Sequence, residues 1–313
     1  VMWEGTFKGE EKPVFPHDTK ALYASDHSNL RSTPYGNSLT LAFAKAALEA
    51  YRLGRGAATD FLAINCASTD YVGHKYGPNS IEVEDTYLRL DKELADFMQT
   101  LDKEVGKGNY LLFLTADHGA AHAINFMKSE KMHSDFLGLS GMVKELNKSL
   151  ATRFGKESII LSAQNEHINL NEGLIESAQL DRDAIKNVIT TYLRKQPGVQ
   201  FVIDLENPGT ASVPEPLKSM LINGYYSKRC GPIAVVGEPG YFGGGKTGTT
   251  HGSWNPYDTH IPLVFMGWNI PHGHSNKTRS MTDIAPTLAA LLHIQMPNGS
   301  VGHAIDEVTS QSH

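Results

Sequence analysis

The sequence predicts an α/β fold, and three neighbouring segments carry that prediction. Residues 60–68 (DFLAINCAS) and 110–116 (YLLFLTA) are short apolar runs typical of buried β-strands. Between them, residues 80–105 carry apolar side chains at steps of three and four, the spacing of one helix face. The members of this stripe are Val83, Tyr87, Leu90, Leu94, Phe97 and Leu101. A strand, a helix and a second strand in that order normally build a parallel sheet, so we expect a mixed, largely parallel sheet between helices.

The rest of the chain supplies further elements of this predicted fold. A polar opening segment leads into an amphipathic helix near residues 38–54. Apolar runs predict strands at 158–164, 167–171, 199–205, 232–237 and 261–268. Helical spacing or a bounding proline predicts helices at 185–193, 215–225 and 280–294.

The order of these elements suggests a core interrupted by an insertion. We assign residues 1–138 to an α/β core that contains the first metal motifs described below. Residues 139–224, where short strands and helices follow a different pattern, are predicted to form a cap-like inserted subdomain. Residues 225–313 then return to the core with two strands and a final helix.

Composition excludes several classes of protein. A formal net charge of −6 argues against a nucleic-acid partner or an anionic membrane surface, both of which favour basic faces. The chain has two cysteines, Cys66 and Cys230, and no C-x-x-C pair, which excludes a cysteine zinc finger and a disulfide scaffold. No apolar stretch approaches the roughly 20 residues that a membrane-spanning helix needs.

Each of the apolar runs at 60–68 and 110–116 is followed by an aspartate and a histidine that form a pair. Asp70 and His74 have the spacing D-x-x-x-H, so on a helix they share a face and can grip one ion. Gly73, Gly77 and Pro78 favour a compact loop instead, and that alternative stays open. In either case both side chains follow the carboxyl end of a predicted strand, where open α/β sheets place their ligands.

Asp117 and His118 form the second pair, and His251 in GTTHGS is a further candidate. Adjacent residues on a regular strand point to opposite faces, so Asp117 and His118 can bind one ion only if the backbone turns. Gly119 gives the chain the freedom for that turn. A single Asp or His in a loop is usually a solvated residue or a helix cap, but two pairs at two strand ends favour a metal centre.

At these residues the chain resembles the alkaline phosphatase superfamily, in particular its nucleotide pyrophosphatase/phosphodiesterase branch. STDYVGHKYGP and TADHG are similar to its metal motifs, GTTHGS with PYDTHIPLVFMGWNI to its third metal segment, and MTDIAPTLAALLHIQMPNG to its C-terminal helix. The combination most resembles PafA-type periplasmic alkaline phosphatases. The resemblance runs over nearly the whole chain.

The resemblance implies a centre with two Zn²⁺ ions. Asp70, His74 and His251 would bind one zinc, and Asp117 and His118 would bind the second. Three protein ligands on the first ion leave a position for a substrate oxygen. The implied activity is phosphate monoester hydrolysis through a Thr or Ser phospho-enzyme, with phosphodiester or nucleotide pyrophosphate hydrolysis as the alternative. The implied partners are small phosphate esters, and the implied location is periplasmic or secreted.

The resemblance also implies groups that residues 1–69 do not supply. The family uses an Asp at the end of its first strand and a Thr or Ser nucleophile, both on the second zinc. The chain opens VMWEGTFKGEEKP, starts with Val and has no signal peptide pattern. We therefore expect the chain to be the C-terminal portion of a longer enzyme, with the nucleophile and the N-terminal part of the fold outside it.

Two other functions compete with a phosphatase. GYFGGGKT, residues 240–247, matches the P-loop pattern G-x-x-x-x-G-K-[ST] of NTPases. A P-loop must open a helix, and the following residues GTTHGSWNPYDTH have no helical periodicity. We interpret the glycines as a flexible approach to His251. A non-catalytic metal-binding module is the remaining alternative.

Two residues near His251 are candidates for outer contacts of the metal centre. Ligand imidazoles usually donate their second N–H to a partner. His260, which begins a predicted strand, could be that partner, although a structural hydrogen bond is the plainer interpretation. Asp258 is a candidate acceptor in the same role.

Overall fold

The computed structural model describes residues 2–245 and 247–310 and has an α/β architecture. The helices are α1 (Thr19–Ser25), α2 (Tyr35–Ala50), α3 (Ser68–Tyr76), α4 (Ile81–Leu101), α5 (Ile124–Ser129), α6 (Leu139–Phe154), α7 (Glu172–Ser177), α8 (Arg182–Leu193), α9 (Leu217–Gly224), α10 (Pro256–Thr259), α11 (Ile284–Leu291) and α12 (Asp306–Thr309). The strands are β1 (Leu111–Thr115), β2 (Asp135–Phe136), β3 (Ile160–Gln164), β4 (His167–Leu170), β5 (Val199–Asp204), β6 (Ile233–Gly237), β7 (Tyr241–Phe242) and β8 (Leu263–Gly267).

The chain divides into two compact units. The first unit comprises Val1–Pro16, Gly73–Val83 and Ala120–Thr259, and the second comprises His17–Val72, Glu84–Gly119 and His260–His313. The insertion predicted at 139–224 lies inside the first unit, which also includes residues on both sides of it. The predicted boundaries of that insertion stay a prediction.

The first unit is built on a four-stranded sheet in the order β3-β4-β6-β5, with each neighbouring pair antiparallel. Helices α6 and α8 supply their apolar faces to a core with this sheet. The side chains that this core buries completely are Leu146, Leu150, Ile159, Ile168, Ile185, Ile189, Leu193 and Ile233. The strands predicted at 158–164, 167–171, 199–205 and 232–237 are therefore confirmed.

An ion-pair network joins α8 to the end of β5 in the first unit. Lys186, whose side chain is 7% exposed, lies 2.9 Å from Asp204 and 2.8 Å from Glu206. Arg182 donates to both Glu206 and Glu172. The hydrogen bonds from Arg182 and Lys186 lower the pKa of Glu206 to about 2.

This network predicts an acid-sensitive contribution to stability. The pKa of Glu206 is lower in the folded protein than in the unfolded chain, so its ionised carboxylate stabilises the fold at pH values above the unfolded pKa of 4.5. This contribution is lost as the pH falls from 4.5 through the folded pKa of about 2. We expect Glu206→Gln to lower the free energy of unfolding by roughly 1–3 kcal/mol at pH 7. Urea denaturation of both proteins at pH 7 and pH 2.5 should show the difference shrinking in acid. An equal difference at the two pH values would contradict this role.

The second unit holds an antiparallel pair, β1 with β8, in the register Leu111↔Gly267 to Thr115↔Leu263. Helices α2 and α4 form its core, as the predicted stripe on residues 80–105 requires. The buried members of this core are Leu41, Ala44, Leu48, Phe97 and Leu101. Tyr87, placed in the stripe by its spacing, is instead 58% exposed.

The strand predicted at 60–68 is wrong. Residues 61–66 are not in a strand, and α3 begins at Ser68. Ile64 and Cys66 pack on the α2–α4 core, but a strand also needs a backbone partner in a ladder. Among the described residues the parallel pair is β2 with β7, and the other four pairs are antiparallel. The mixed character of the sheets is therefore confirmed, but the expectation that they are largely parallel is wrong.

The later helices agree with the sequence prediction. Helices α8, α9 and α11 lie within the segments predicted at 185–193, 215–225 and 280–294, to within a few residues. Within residues 2–245 and 247–310, no helix combines the length and the apolar character that a membrane span requires.

Candidate metal centre

The start of α3 is fixed by a buried amide side chain. Asn37 on α2 accepts a hydrogen bond from the backbone N of Ser68 at 3.1 Å. The Nδ2 atom of Asn37 donates to Thr69 Oγ1 at 2.9 Å. The first backbone N–H groups of a helix have no partner inside it, and Asn37 satisfies one of them. This contact sets the position from which the next residues of α3 project.

Helix α3 carries the first two predicted ligands on one face. It ends before Gly77, whose φ of +82° is a left-handed conformation that favours glycine, and Pro78 follows. Asp70 and His74 are four residues apart on this helix, so their side chains are neighbours. Of the helix and loop alternatives left open by the sequence, the helix is confirmed.

A backbone carbonyl orients the imidazole of His74. Its Nδ1 lies 2.8 Å from the carbonyl oxygen of Thr249. A carbonyl only accepts, so Nδ1 carries the proton and Nε2 carries the lone pair that can bind a metal. Thr249 is not among the residues predicted for the site, although its place two residues before His251 in GTTHGS is a signal for it.

The segment leading to His251 runs along α3 and is held to it by its backbone. The N–H of Thr249 donates to the carbonyl of His74 at 3.1 Å, and the N–H of Gly248 donates to the carbonyl of Trp3 at 2.7 Å. The ring centroids of His74 and His251 are 5.0 Å apart. Ligand atoms of Asp70, His74 and His251 all lie within 4.8 Å of one another. The structure thus brings together the three residues assigned to the first zinc.

Gly248 is the glycine on which this approach depends. Its φ is +71°, and a Cβ atom placed on it would lie 1.9 Å from the carbonyl oxygen of His74. Gly248→Ala must therefore push the segment off α3 and move Thr249 and His251. We expect zinc affinity to fall at least 10-fold, comparable to loss of an outer contact of a metal ligand. Zinc titration measures this, with Gly155→Ala as the control.

Gly155 is the matched control because it has nearly the same φ, at +68°, but a Cβ atom there meets no other atom within 4 Å. Both substitutions strain the backbone, and only Gly248→Ala adds the collision with His74. Equal zinc affinities for the two variants would contradict the proposed importance of the close approach.

Asp117 and His118 follow β1 at a bend in the chain. β1 ends at Thr115, so the two side chains are not held on opposite faces of a strand. His118 Nδ1 lies 2.8 Å from the carbonyl oxygen of Gly119, which again leaves the lone pair on Nε2. That Nε2 is 3.5 Å from Asp117 Oδ2 and 4.0 Å from Asp70 Oδ1. The chain thus bends at Asp117, but Gly119 is not among the glycines with positive φ, so the role predicted for Gly119 in this bend stays a prediction.

The two ligand pairs differ in exposure. The Asp117 side chain is 83% exposed, whereas those of His118 and Asp70 are 23% and 37% exposed. Partly buried ligands are held by their neighbours, and an exposed carboxylate is free to rotate. His118 is therefore the better fixed member of the second pair.

The residues on α3 and at His251 fit a zinc ion. Zinc binds imidazole nitrogen and carboxylate oxygen at about 2.0–2.2 Å in a tetrahedron. Atoms on one such ion lie roughly 3.3–3.6 Å apart, so small side-chain rotations within the 4.8 Å cluster suffice. One oxygen and two nitrogen donors leave a fourth position, the pattern of a catalytic site.

Asp258 and His260, the two candidates for outer contacts of the metal centre, lie in different surroundings. Asp258 on α10 is buried, and its Oδ2 accepts from the N and the Oγ of Ser253, each at 2.7 Å. His260 is exposed. The roles of both residues at the metal centre stay predictions.

The glycine-rich segment lacks the helix that a P-loop needs. The structure assigns residues 247–255 to turns and irregular backbone, and α10 starts at Pro256. Lys246, the lysine of the P-loop pattern, lies outside the described residues. The geometry of the described part gives no support to the NTPase interpretation.

Comparison with known proteins finds a matching family and several similar proteins. The sequence model described as "Type I phosphodiesterase / nucleotide pyrophosphatase" matches residues 3–262. The chain is 49% identical over 310 residues to alkaline phosphatase PafA of Elizabethkingia meningoseptica, covering 98% of this chain. It is 46% identical over 315 residues to a protein of Myroides odoratus named calcium-transporting ATPase, covering 99% of this chain.

A solved structure has the same fold. The crystal structure of wild-type alkaline phosphatase PafA superposes with a TM-score of 0.96 at 48% identity and covers 99% of this chain. This confirms the α/β, alkaline phosphatase-like fold predicted from the sequence. The chain spans 57% of the PafA sequence, 58% of the Myroides protein and 59% of the crystallised PafA chain.

Proposed function

The chain belongs to the type I phosphodiesterase/nucleotide pyrophosphatase family, and from that premise we propose that it forms part of a zinc-dependent phosphate monoester hydrolase of alkaline phosphatase type. The observation that carries this proposal is the cluster of Asp70, His74 and His251. The proposal is also supported by the 49% identity between this chain and a protein named alkaline phosphatase PafA. The proposed partners are small phosphate esters.

Five side chains of this chain would hold two Zn²⁺ ions. Asp70, His74 and His251 would bind one, and Asp117 and His118 the other. When bound, such ions stabilise the negative charge that phosphoryl transfer spreads over the phosphate oxygens. The chain orients the ligands. The carbonyl oxygens of Thr249 and Gly119 hold the protons of His74 and His118 on Nδ1, which leaves the lone pair of each ring on Nε2.

The hydroxyl that attacks phosphorus is proposed to come from a Thr or Ser outside this chain. Two of the threonines near the ligands already donate to backbone carbonyls. Thr249 Oγ1 donates to Ala121 at 2.5 Å, and Thr115 Oγ1 donates to Pro262 at 2.9 Å. A nucleophile must have its oxygen directed at the substrate, which these bonds oppose.

Exposed apolar side chains in the second unit support the need for further polypeptide. Phe61 is 65% exposed, and Val264 and Met266 on β8 are 49% and 38% exposed. Single exposed apolar residues are ordinary. Here, however, apolar side chains are exposed both on a strand of a two-stranded sheet and at Phe61, whose ring lies near that of Phe113 on β1, and this favours a covering layer. We propose that an N-terminal portion of the same protein supplies it.

Hydrolysis of phosphate diesters or nucleotide pyrophosphates is the second candidate. It is favoured by the name of the matching family, and GHKYGP is shared by both kinds of enzyme. A relative named calcium-transporting ATPase makes ATP a substrate worth including in any test. A periplasmic or secreted location is also proposed, on the family resemblance described above.

The test is a comparison of turnover by the zinc-loaded, full-length protein on three substrates: p-nitrophenyl phosphate, bis(p-nitrophenyl) phosphate and ATP. We expect the monoester to have the highest kcat/KM. A faster diester would establish the second candidate, and no turnover of either ester would overturn the assignment as an enzyme. ATP hydrolysis lost in Lys246→Ala but kept in Asp70→Ala would instead establish a P-loop NTPase.

A further inference from the structure

The segment that presents His251 is anchored on both sides, and the two anchors differ in kind. Before His251, backbone hydrogen bonds tie residues 248–250 to their neighbours, including Thr250, whose carbonyl accepts from Ala121 N at 3.4 Å. After it comes Gly252, with φ of +112°. A glycine in that conformation adds backbone freedom directly beside a metal ligand. The first hydrogen bonds after Gly252 then limit how far the backbone on this side of His251 can move.

That contact is made by a buried carboxylate. Asp258 is 4% exposed, and its Oδ2 accepts two hydrogen bonds of 2.7 Å, from the backbone N and the Oγ of Ser253. Charge-assisted bonds of this length are about twice as strong as neutral ones. Ser253 is two residues beyond His251, so these bonds close a short loop right after the ligand.

Ser253 is also the centre of a wider polar network. Its Oγ accepts from the backbone N of Asn255 at 3.3 Å and from the Asn255 side chain at 3.2 Å. Asn255 is 5% exposed and also donates to the Tyr257 hydroxyl at 3.0 Å. The Tyr257 hydroxyl in turn accepts from the backbone N of Gly240 at 3.4 Å. The network thus links Ser253 to the first residue of the glycine-rich segment.

A second, partly buried acid lies near the carboxylate of Asp258. Burial, and after it the negative charge of Asp258, raise the pKa of Glu166 to about 7. A carboxylate oxygen only accepts hydrogen bonds, which is the role that both donors of Ser253 require.

We propose that Asp258 is a positioning residue that holds His251 in place for the first metal, acting through Ser253. The proposal rests on the metal site proposed above. Metal ligands must be held within about 0.5 Å of their working geometry, and a flexible Gly252 alone would not do this. Asp258 sits on α10, whose residues Asp258 and Thr259 both donate their N–H to the carbonyl of Asn255. That local folding fixes the carboxylate relative to Ser253.

The test is zinc affinity, measured by competition with a chromophoric chelator in the full-length protein. We expect Asp258→Asn to weaken zinc binding about 10- to 100-fold, as loss of an outer contact of a metal ligand does. Ser253→Ala, which removes one of the two bonds, should weaken it less. Ser253→Thr keeps the hydroxyl and should restore affinity relative to Ser253→Ala.

A control separates positioning from general destabilisation. Glu206→Gln removes a partly buried carboxylate of the same unit from its ion pairs, and it should lower the thermal midpoint without changing zinc affinity. If Asp258→Asn weakens zinc binding no more than Glu206→Gln does, the proposal is overturned. If Asp258→Asn does not fold, the Ser253→Ala and Ser253→Thr pair decides by the same criterion. Failure of the wild-type protein to bind zinc would instead reject the metal site itself.

Discussion

His74→Ala is expected to remove the first zinc and nearly all phosphatase activity from the full-length protein. Removing a direct ligand should cost more than the 10- to 100-fold that loss of an outer contact costs, so zinc affinity at this site should fall by more than about 100-fold. Two of three donors would remain, and the Thr249 carbonyl would lose its imidazole partner. Metal content by mass spectrometry after dialysis, together with kcat on p-nitrophenyl phosphate, measures both effects.

The matched control for this change is His167→Ala. His167 lies at the β3–β4 hairpin and also directs Nδ1 to a backbone carbonyl, that of Asn165 at 2.8 Å. Its loss removes the same kind of hydrogen bond away from the cluster. We expect it to keep zinc and activity. If His74→Ala matched His167→Ala in both measurements, His74 would not be a ligand.

His118→Ala should separate the two halves of the proposed centre. Because His118 is the better fixed member of the second pair, its loss should leave one zinc per chain where the wild type holds two. The exposed Asp117 carboxylate alone is not expected to retain the ion. Activity should fall by more than about 100-fold, while affinity at the Asp70, His74 and His251 site changes little.

His122→Ala is the control for His118→Ala. His122 lies four residues further along and directs Nδ1 to Asn79 Oδ1 at 2.7 Å. It should keep two zinc ions and full activity. Loss of both zinc ions in His118→Ala would mean that the two pairs form one coupled site, and loss of none would remove His118 from the set of ligands.

The parts of the fold with a local signal could be predicted from the sequence. The helix at 81–101 follows from the spacing of its apolar residues, and the hairpin at 160–170 from two short runs around a turn. Helix α6 has the same kind of signal, since Leu139, Val143, Leu146 and Leu150 recur at steps of four, three and four. This helix is not among the elements predicted above from the sequence, although this stripe is a signal for it.

The parts that depend on distant partners could not be predicted in the same way. β1 pairs antiparallel with β8, which lies about half the chain away, and no local pattern encodes that choice. Residues 61–66 have the composition of a strand but form no ladder. Strand formation is decided by a neighbouring backbone rather than by composition.

The metal centre shows the same division. Asp70, His74, Asp117, His118 and His251 could be named from residue type and spacing, and the structure brings Asp70, His74 and His251 together. The carbonyls of Thr249 and Gly119 that set the histidine tautomers are backbone groups, which every residue has. Their role therefore becomes visible only when the chain is folded.

The most direct test of the central claim is the anomalous X-ray difference map of the full-length protein at the zinc absorption edge. The predicted result is a zinc peak about 2.0–2.2 Å from a carboxylate oxygen of Asp70 and from ring nitrogens of His74 and His251. A second peak is expected at Asp117 and His118. A zinc-loaded, active protein whose peaks lie away from Asp70, His74 and His251 would contradict it.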